Sequence, residues 1–467
     1  MVSAEVSPFA KTGGLGDVVG SLPRYLNKQD MDVRVLMPLY GQINQKYKDM
    51  MKYLGYIYLD LGWRHQYCGI FQLDFNDVIY YFIDNEYYYK HESIYDDMDL
   101  EKFAFLDIAC FEVCKYVNFK PDVIHAHDWH TGAVCALLND YYHKDEFFKD
   151  TKSVFTIHNL QYQGIYDKND VLSMLPLDGF KYQNTGVINL LGLGISYSYR
   201  VTTVSPTYAN EILTDYYGEG LQYLLRGERG KLVGILNGID TDEYNSKTDK
   251  NIYYNFDLKK FKEGKRKNKE GLLEELGFDK ENVIDKPLIG IVSRLASQKG
   301  MNLLISIINR LLDNDICIVL LGTGDKYIEN QFRFISNVRN DRFKALIKFD
   351  NTLAHKIYAS CDFILMPSAF EPCGLAQMIA LRYGTLPIVR SCGGLKDSII
   401  PFNEYTNKGN GFSFNYFSAE DLFHTIMYAN NIYYRKDKLD AVIKNGIACD
   451  FSWDASAKKY KELYESL

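Results

Sequence analysis

The sequence predicts an α/β protein of two domains, each a parallel sheet doubly wound by helices. Three observations predict it. The chain has 467 residues, too many for one hydrophobic core. Short apolar strand patterns alternate with helical ones in two series, split by a polar Lys/Asn/Tyr-rich stretch to about Lys269. Gly-rich turns and polar clusters recur where strands end, which is where such sheets bind ligands.

Bulk properties narrow the function. Apolar residues make up 47% of the chain, a globular content. The net charge of −7 is spread along the chain, so nucleic acid and anionic membrane are not expected partners. Nine cysteines without a CxxC pair predict neither a disulfide framework nor a zinc ribbon. No apolar run reaches the roughly 18 residues of a spanning helix. A basic region followed by an apolar one is absent at Met1, so a cytoplasmic location is expected.

The first series opens on Lys11-Thr12-Gly13-Gly14-Leu15-Gly16-Asp17, a Gly-rich turn into a helix carrying Val18, Leu22 and Leu26. Freed backbone, an electropositive helix start and the Lys11 charge make it a phosphate-cradle candidate. Its spacing is neither GxGxxG nor a P-loop. Only Met1-Val2-Ser3-Ala4 precedes it as a strand, so the first strand is expected to be short or clipped. Further strands are expected at 33–37, 78–83, 123–126, 153–157 and 201–204, with helices near Phe103–Val117, Thr131–Tyr142 and Tyr208–Asp215. His125-Ala126-His127-Asp128-Trp129-His130 ends one strand and His158-Asn159 begins the end of the next. Three His in six residues invite a metal reading. Without HExxH or a Cys partner, neutral imidazoles that hydrogen-bond a polar ligand are the better reading. Four scattered Asp-x-Asp pairs, such as Asp240/Asp242, give no convincing metal site either.

Lys231–Asp240 reads as a strand running into a Gly turn, after which the composition shifts. The second series has strands near 287–292, 317–321, 344–348, 363–366 and 386–389. Arg294 and Lys299 follow the first of them. Arg can chelate a phosphate, and Lys can act as a point charge. The stretch 365–397 carries a lone acid, Glu371, before Pro372. Gly374 then permits close backbone approach at a helix expected from Leu375 to Tyr383.

Taken in order, KTGGLGD, HAHDWHT, HNLQYQG, TVSPTYANEI, GILNGID, SRLASQKG, PSAFEPCGL and RYGTLPIV…GGLKD closely resemble the bacterial glycogen synthases and plant starch synthases over nearly the whole chain. The resemblance implies a GT-B fold: Rossmann-like domains at 1–240 and 241–450 facing across a cleft, and a helix at 451–467 crossing back to the first. It implies transfer of glucose from ADP-glucose to the non-reducing 4-OH of an α-1,4-glucan, with retention and without a metal or other cofactor.

Position by position, the resemblance gives Lys11, Gly13, Gly14 and Asp17 to the donor loop. Asp128 and His158 fall near the transferred glucose, and Asn237 in the donor site. Arg294 and Lys299 fall on the diphosphate. Glu371 is the catalytic-site carboxylate, and Cys373, Gly374 and Leu375 hold sugar hydroxyls and phosphate through backbone groups. Three departures stand out: the curtailed first strand, Gly192 where members often carry Lys, and Phe349 where a Tyr commonly lies against the adenine. Rival readings are a GT-B transferase using a UDP- or GDP-sugar, a glucan phosphorylase with pyridoxal phosphate, and a silent glucan-binding protein.

Overall fold

The computed structural model describes all 467 residues. Their contacts form two units, Met1–Asn237 with Trp453–Leu467, and Gly238–Ser452.

Ten strands belong to the first unit: β1 Arg34–Pro38, β2 Lys52–Leu61, β3 Arg64–Phe75, β4 Val78–Asp84, β5 Val123–His127, β6 Lys152–Ile157, β7 Ile165–Asp167, β8 Val187–Asn189, β9 Arg200–Thr203 and β10 Leu232–Gly234. β10-β9-β6-β5 pair in parallel. β1 and β4 are also parallel, whereas β4-β3-β2 run antiparallel. The short first strand joins the two halves. Val2 bridges both Ala126 and Leu36. Its N–H donates to the His125 carbonyl at 2.9 Å, and the Ser3 N–H donates to the Leu36 carbonyl at 3.1 Å. The β2–β3 hairpin was not foreseen. Its inward residues Leu59, Leu61, Cys68, Ile70 and Leu73 are buried while Tyr56, Tyr58 and Trp63 are exposed. So many tyrosines on the outer face blur the apolar–polar alternation that marks a half-buried strand.

The last helix, Trp453–Glu465, completes this unit. Trp453, Ala457, Tyr460 and Leu463 bury against Val18, Leu22, Tyr25 and Leu26 of the helix Gly14–Asn27. Both helices repeat apolar residues every three or four positions, so each offers one stripe to the other. A cavity of about 520 Å³ opens at the amino ends of β1 and β5, bounded by Met1, Arg34, Cys114, Phe119 and Tyr464. The polar clusters lie at the other, carboxyl ends.

The second unit holds β11 Leu288–Val292, β12 Cys317–Leu321, β13 Phe343–Leu346, β14 Phe363–Met366, β15 Leu386–Arg390 and β16 Phe412–Phe414. They form one parallel sheet in the order β13-β12-β11-β14-β15-β16. This is the dinucleotide-fold order, with the topological switch beside β11 and β14. β11 and β12 are buried along almost their whole length, as expected of strands covered on both faces. β16 escaped the sequence reading because three residues, Phe-Ser-Phe, carry no readable period.

Candidate functional site

In the first unit the expected residues gather at the carboxyl ends of β5 and β6 and at the start of the helix Gly14–Asn27. Asp128 follows β5 with φ +57°, a left-handed conformation costly for a residue with a Cβ. The twist is held because its Oδ1 accepts the His158 N–H at 2.7 Å, and its own N–H donates to the Thr156 carbonyl at 2.9 Å. Burial pushes the Asp128 carboxyl up to about 7, against the lowering effect of the His158 and Asn159 amides.

The three histidines of this segment do not meet at one point: two stack on each other and the third packs elsewhere. His125 and His127 share a strand face and stack at 4.1 Å. His125 contacts Tyr464 and Thr156, His127 Nδ1 lies 3.1 Å from His158 Nε2, and His130 packs on Tyr95. Burial pulls His130 and His158 down to about 3, so both imidazoles are neutral at physiological pH. No group of three or more His, Cys, Asp or Glu side chains is placed to hold a metal ion.

The Gly-rich loop differs from the expected cradle. Its Thr12 and Gly13 N–H groups already donate to the Glu5 carboxylate, at 2.5 and 3.1 Å. Lys11 forms an ion pair with Asp17 at 2.6 Å. Space remains in front of Gly13 and Gly14, where an added Cβ would meet nothing within 4 Å. Glu5 escaped the sequence reading; a single acid six residues ahead of a Gly-rich turn carries no local signature. Asn237, in the same unit, is buried, and its Oδ1 has no partner.

In the second unit, Lys299 and Glu371 form a direct pair: Nζ to Oε2 is 2.6 Å. The Ser368 hydroxyl donates to the same Oε2 at 3.0 Å. Gly300, with φ +73°, lets Lys299 end its short turn against the Pro367 carbonyl, where a Cβ would clash at 2.1 Å. Arg294 is exposed; its carbonyl accepts the Ala296 N–H at 3.1 Å and the Ser293 hydroxyl at 3.0 Å, and its guanidinium makes no hydrogen bond or ion pair. The segment after Glu371 is braced from behind: the Gly394 N–H donates to the Glu371 carbonyl at 3.1 Å. Gly374 has φ +73°. Cys373 is buried, and the helix begins at Ala376, later than the expected Leu375, and ends at Arg382. Gln377 holds the turn by donating to the Cys373 and Gly374 carbonyls. Phe349 is 87% exposed, a bare ring available for stacking. Gly192 lies inside the helix Leu190–Tyr197, its N–H capped by Asn189 at 2.9 Å.

This arrangement can neutralise and orient an anion through Arg294 and Lys299, and place a carboxylate beside it. Residues 1–227 match the family described as starch synthase catalytic domain, and 274–448 match glycosyl transferases group 1. The chain is 47% identical to a glycogen synthase of Clostridium botulinum (strain Alaska E43 / Type E3), over 100% of its own length and 98% of the relative's. It is 44% identical to a glycogen synthase of Streptococcus uberis over the same shares. The catalytic domain of starch synthase IV from Arabidopsis thaliana, bound to ADP and acarbose, superposes with a TM-score of 0.92 at 33% identity, covering 100% of this chain and 98% of that one. A sucrose-phosphate synthase from Thermosynechococcus elongatus, 17% identical with a TM-score of 0.61, shares the fold.

Proposed function

Because the chain belongs to the glycogen and starch synthase family of GT-B glucosyltransferases, we propose that it lengthens an α-1,4-glucan by one glucose taken from ADP-glucose. The observation that carries the reading is the Lys299–Glu371 pair, with the free guanidinium of Arg294 on the same loop five residues ahead of Lys299. Negative charge grows on the departing ADP as the bond to the anomeric carbon breaks. Arg294 and Lys299 stabilise that charge, each preorganised cation contributing a few kcal/mol. Lys11 adds a third charge once the donor's diphosphate draws it from Asp17. Phe349 offers its face to the adenine.

The anomeric carbon becomes oxocarbenium-like. Glu371, with Lys299 and Ser368 on one oxygen, keeps the other for the donor sugar and acts electrostatically. The His158 carbonyl supports the developing positive charge, and the neutral His158 ring hydrogen-bonds the glucose. Asp128, half protonated near neutrality, orients a hydroxyl of the same sugar. Retention follows from same-face attack by the acceptor's 4-OH, whose proton passes to the leaving phosphate. No metal takes part, and the enzyme works in the cytoplasm.

The test is incubation with labelled ADP-glucose or UDP-glucose and glycogen. Incorporation from ADP-glucose, released by an α-1,4-specific hydrolase, is the expected result. Incorporation from UDP-glucose alone, or label resistant to that hydrolase, would refute the reading.

A further inference from the structure

We propose that Glu5 is a positioning residue for the donor loop: its buried carboxylate fixes Thr12 and Gly13 so that Lys11 and the Gly14 face are presented to the nucleotide-sugar diphosphate. The inference rests on the assignment of that loop to the donor. Glu5 is 3% exposed. Its own backbone is pinned by Ser3, whose hydroxyl donates to the Glu5 carbonyl at 2.7 Å and accepts the Glu5 N–H at 3.2 Å.

Four donors converge on the carboxylate: the Thr12 N–H at 2.5 Å, the Gly13 N–H at 3.1 Å, the Thr12 hydroxyl at 2.7 Å and the Tyr95 hydroxyl. Burial, then the nearby Glu5 charge, raises the Tyr95 hydroxyl well above its usual range, which keeps it a donor. No Lys, Arg or His pairs with Glu5; the nearest loop cation, Lys11, sits on Asp17.

Two consequences follow from this geometry. The loop cannot offer its Thr12 and Gly13 amides to a phosphate, because a carboxylate already holds them. A buried negative charge behind the loop also repels a diphosphate from that side. The ligand is therefore confined to the open side, in front of Gly13 and Gly14, where nothing lies within 4 Å of a Cβ position. Tyr95 stacks on His130 at 5.2 Å, so the same latch ties the loop to the segment that carries Asp128.

Glu5→Gln and Glu5→Ala separate hydrogen bonding from simple presence. A Gln amide can turn its oxygen to the two N–H groups and its NH₂ to the Thr12 and Tyr95 oxygens, which then accept. An Ala releases the loop. ADP binding is measured by calorimetry, with donor and glucan KM alongside. E5A is expected to weaken ADP and raise the donor KM by on the order of 10- to 100-fold, the scale of a misplaced binding group. The glucan KM should stay within about twofold, and E5Q should restore ADP affinity to within about threefold of the parent. ADP affinity unchanged in E5A, or E5Q as weak as E5A, would overturn the proposal. Should E5A not fold, Glu5→Asp, one methylene too short to reach Thr12, must lose the affinity that E5Q keeps. An unaltered protein that binds no ADP would instead sink the donor assignment of the loop, a separate result.

Discussion

Lys299 and Glu371 are 72 residues apart in sequence, yet their charged atoms lie 2.6 Å apart. Neither side chain is well hydrated, at 18% and 9% exposure. Removing one partner therefore leaves the other charge poorly solvated. Lys299→Ala and Glu371→Ala are each expected to stay folded, to lose turnover by on the order of 10²-fold or more, and to lose roughly 1–3 kcal/mol of stability. The double variant Lys299→Met/Glu371→Gln should be more stable than either single one, because it buries no lone charge. Urea unfolding and initial rates check this. Near-parental turnover in either alanine variant would strip that residue of its role.

Asp128 carries a pH signature. Burial raises its carboxyl to about 7, so the fold favours the protonated form. Between about 3.8 and 7 the native state binds more protons than the unfolded state, and this group's contribution makes stability fall as pH rises. Asp128→Asn should remove that slope and abolish an inflection near pH 7 in kcat/KM. A pH–rate profile with the same inflection in D128N would assign it to another group.

His355 slopes the same way, in a window that begins at higher pH. Its Nδ1 lies 2.8 Å from Asp249 Oδ2, and its Nε2 lies 3.7 Å from Glu243. Burial works against the charged ring, but Glu243 and Asp249 outweigh it and the pKa is raised above 6.5. The stabilisation is fully present below pH 6.5 and is lost as pH rises through the raised value. Thermal melts from pH 6 to 9 should show this loss in the parent protein and not in His355→Gln.

Asp107 sits fully buried in the helix Asp99–Tyr116, and neither carboxyl oxygen has a hydrogen-bond partner. Desolvation holds it well above the usual carboxylate range. Asp107→Ala removes an unsatisfied polar group and adds helix propensity, so stability at pH 8 should rise by about 1 kcal/mol or more. A fall would mean that the cavity left behind outweighs both gains.

Much of this was readable in the chain because parallel strands buried on both faces are short apolar runs; 288–292, 317–321 and 363–366 are of that kind. What failed was local signal. The β2–β3 hairpin hides its alternation behind outward tyrosines. β16 is three residues long, and Glu5 is one acid with nothing near it to mark its use. The site residues themselves stand out as motif positions, but their partnerships do not. Nothing in SRLASQKG announces that Lys299 will rest on Glu371, or in KTGGLGD that Lys11 will rest on Asp17. Pairing is a property of the folded chain, set by which loop comes to face which.

The helix Trp453–Glu465 has a consequence for how the protein is made. The first unit is discontinuous: its opening 237 residues and its last helix are separated by the whole of the second unit. On the ribosome, the apolar stripe of Val18, Leu22 and Leu26 emerges early and waits uncovered until Trp453 and Tyr460 arrive. The second unit, continuous in sequence, can finish first. The unit begun first is thus the one completed last, and in that interval its bare stripe is a target for chaperones and for aggregation.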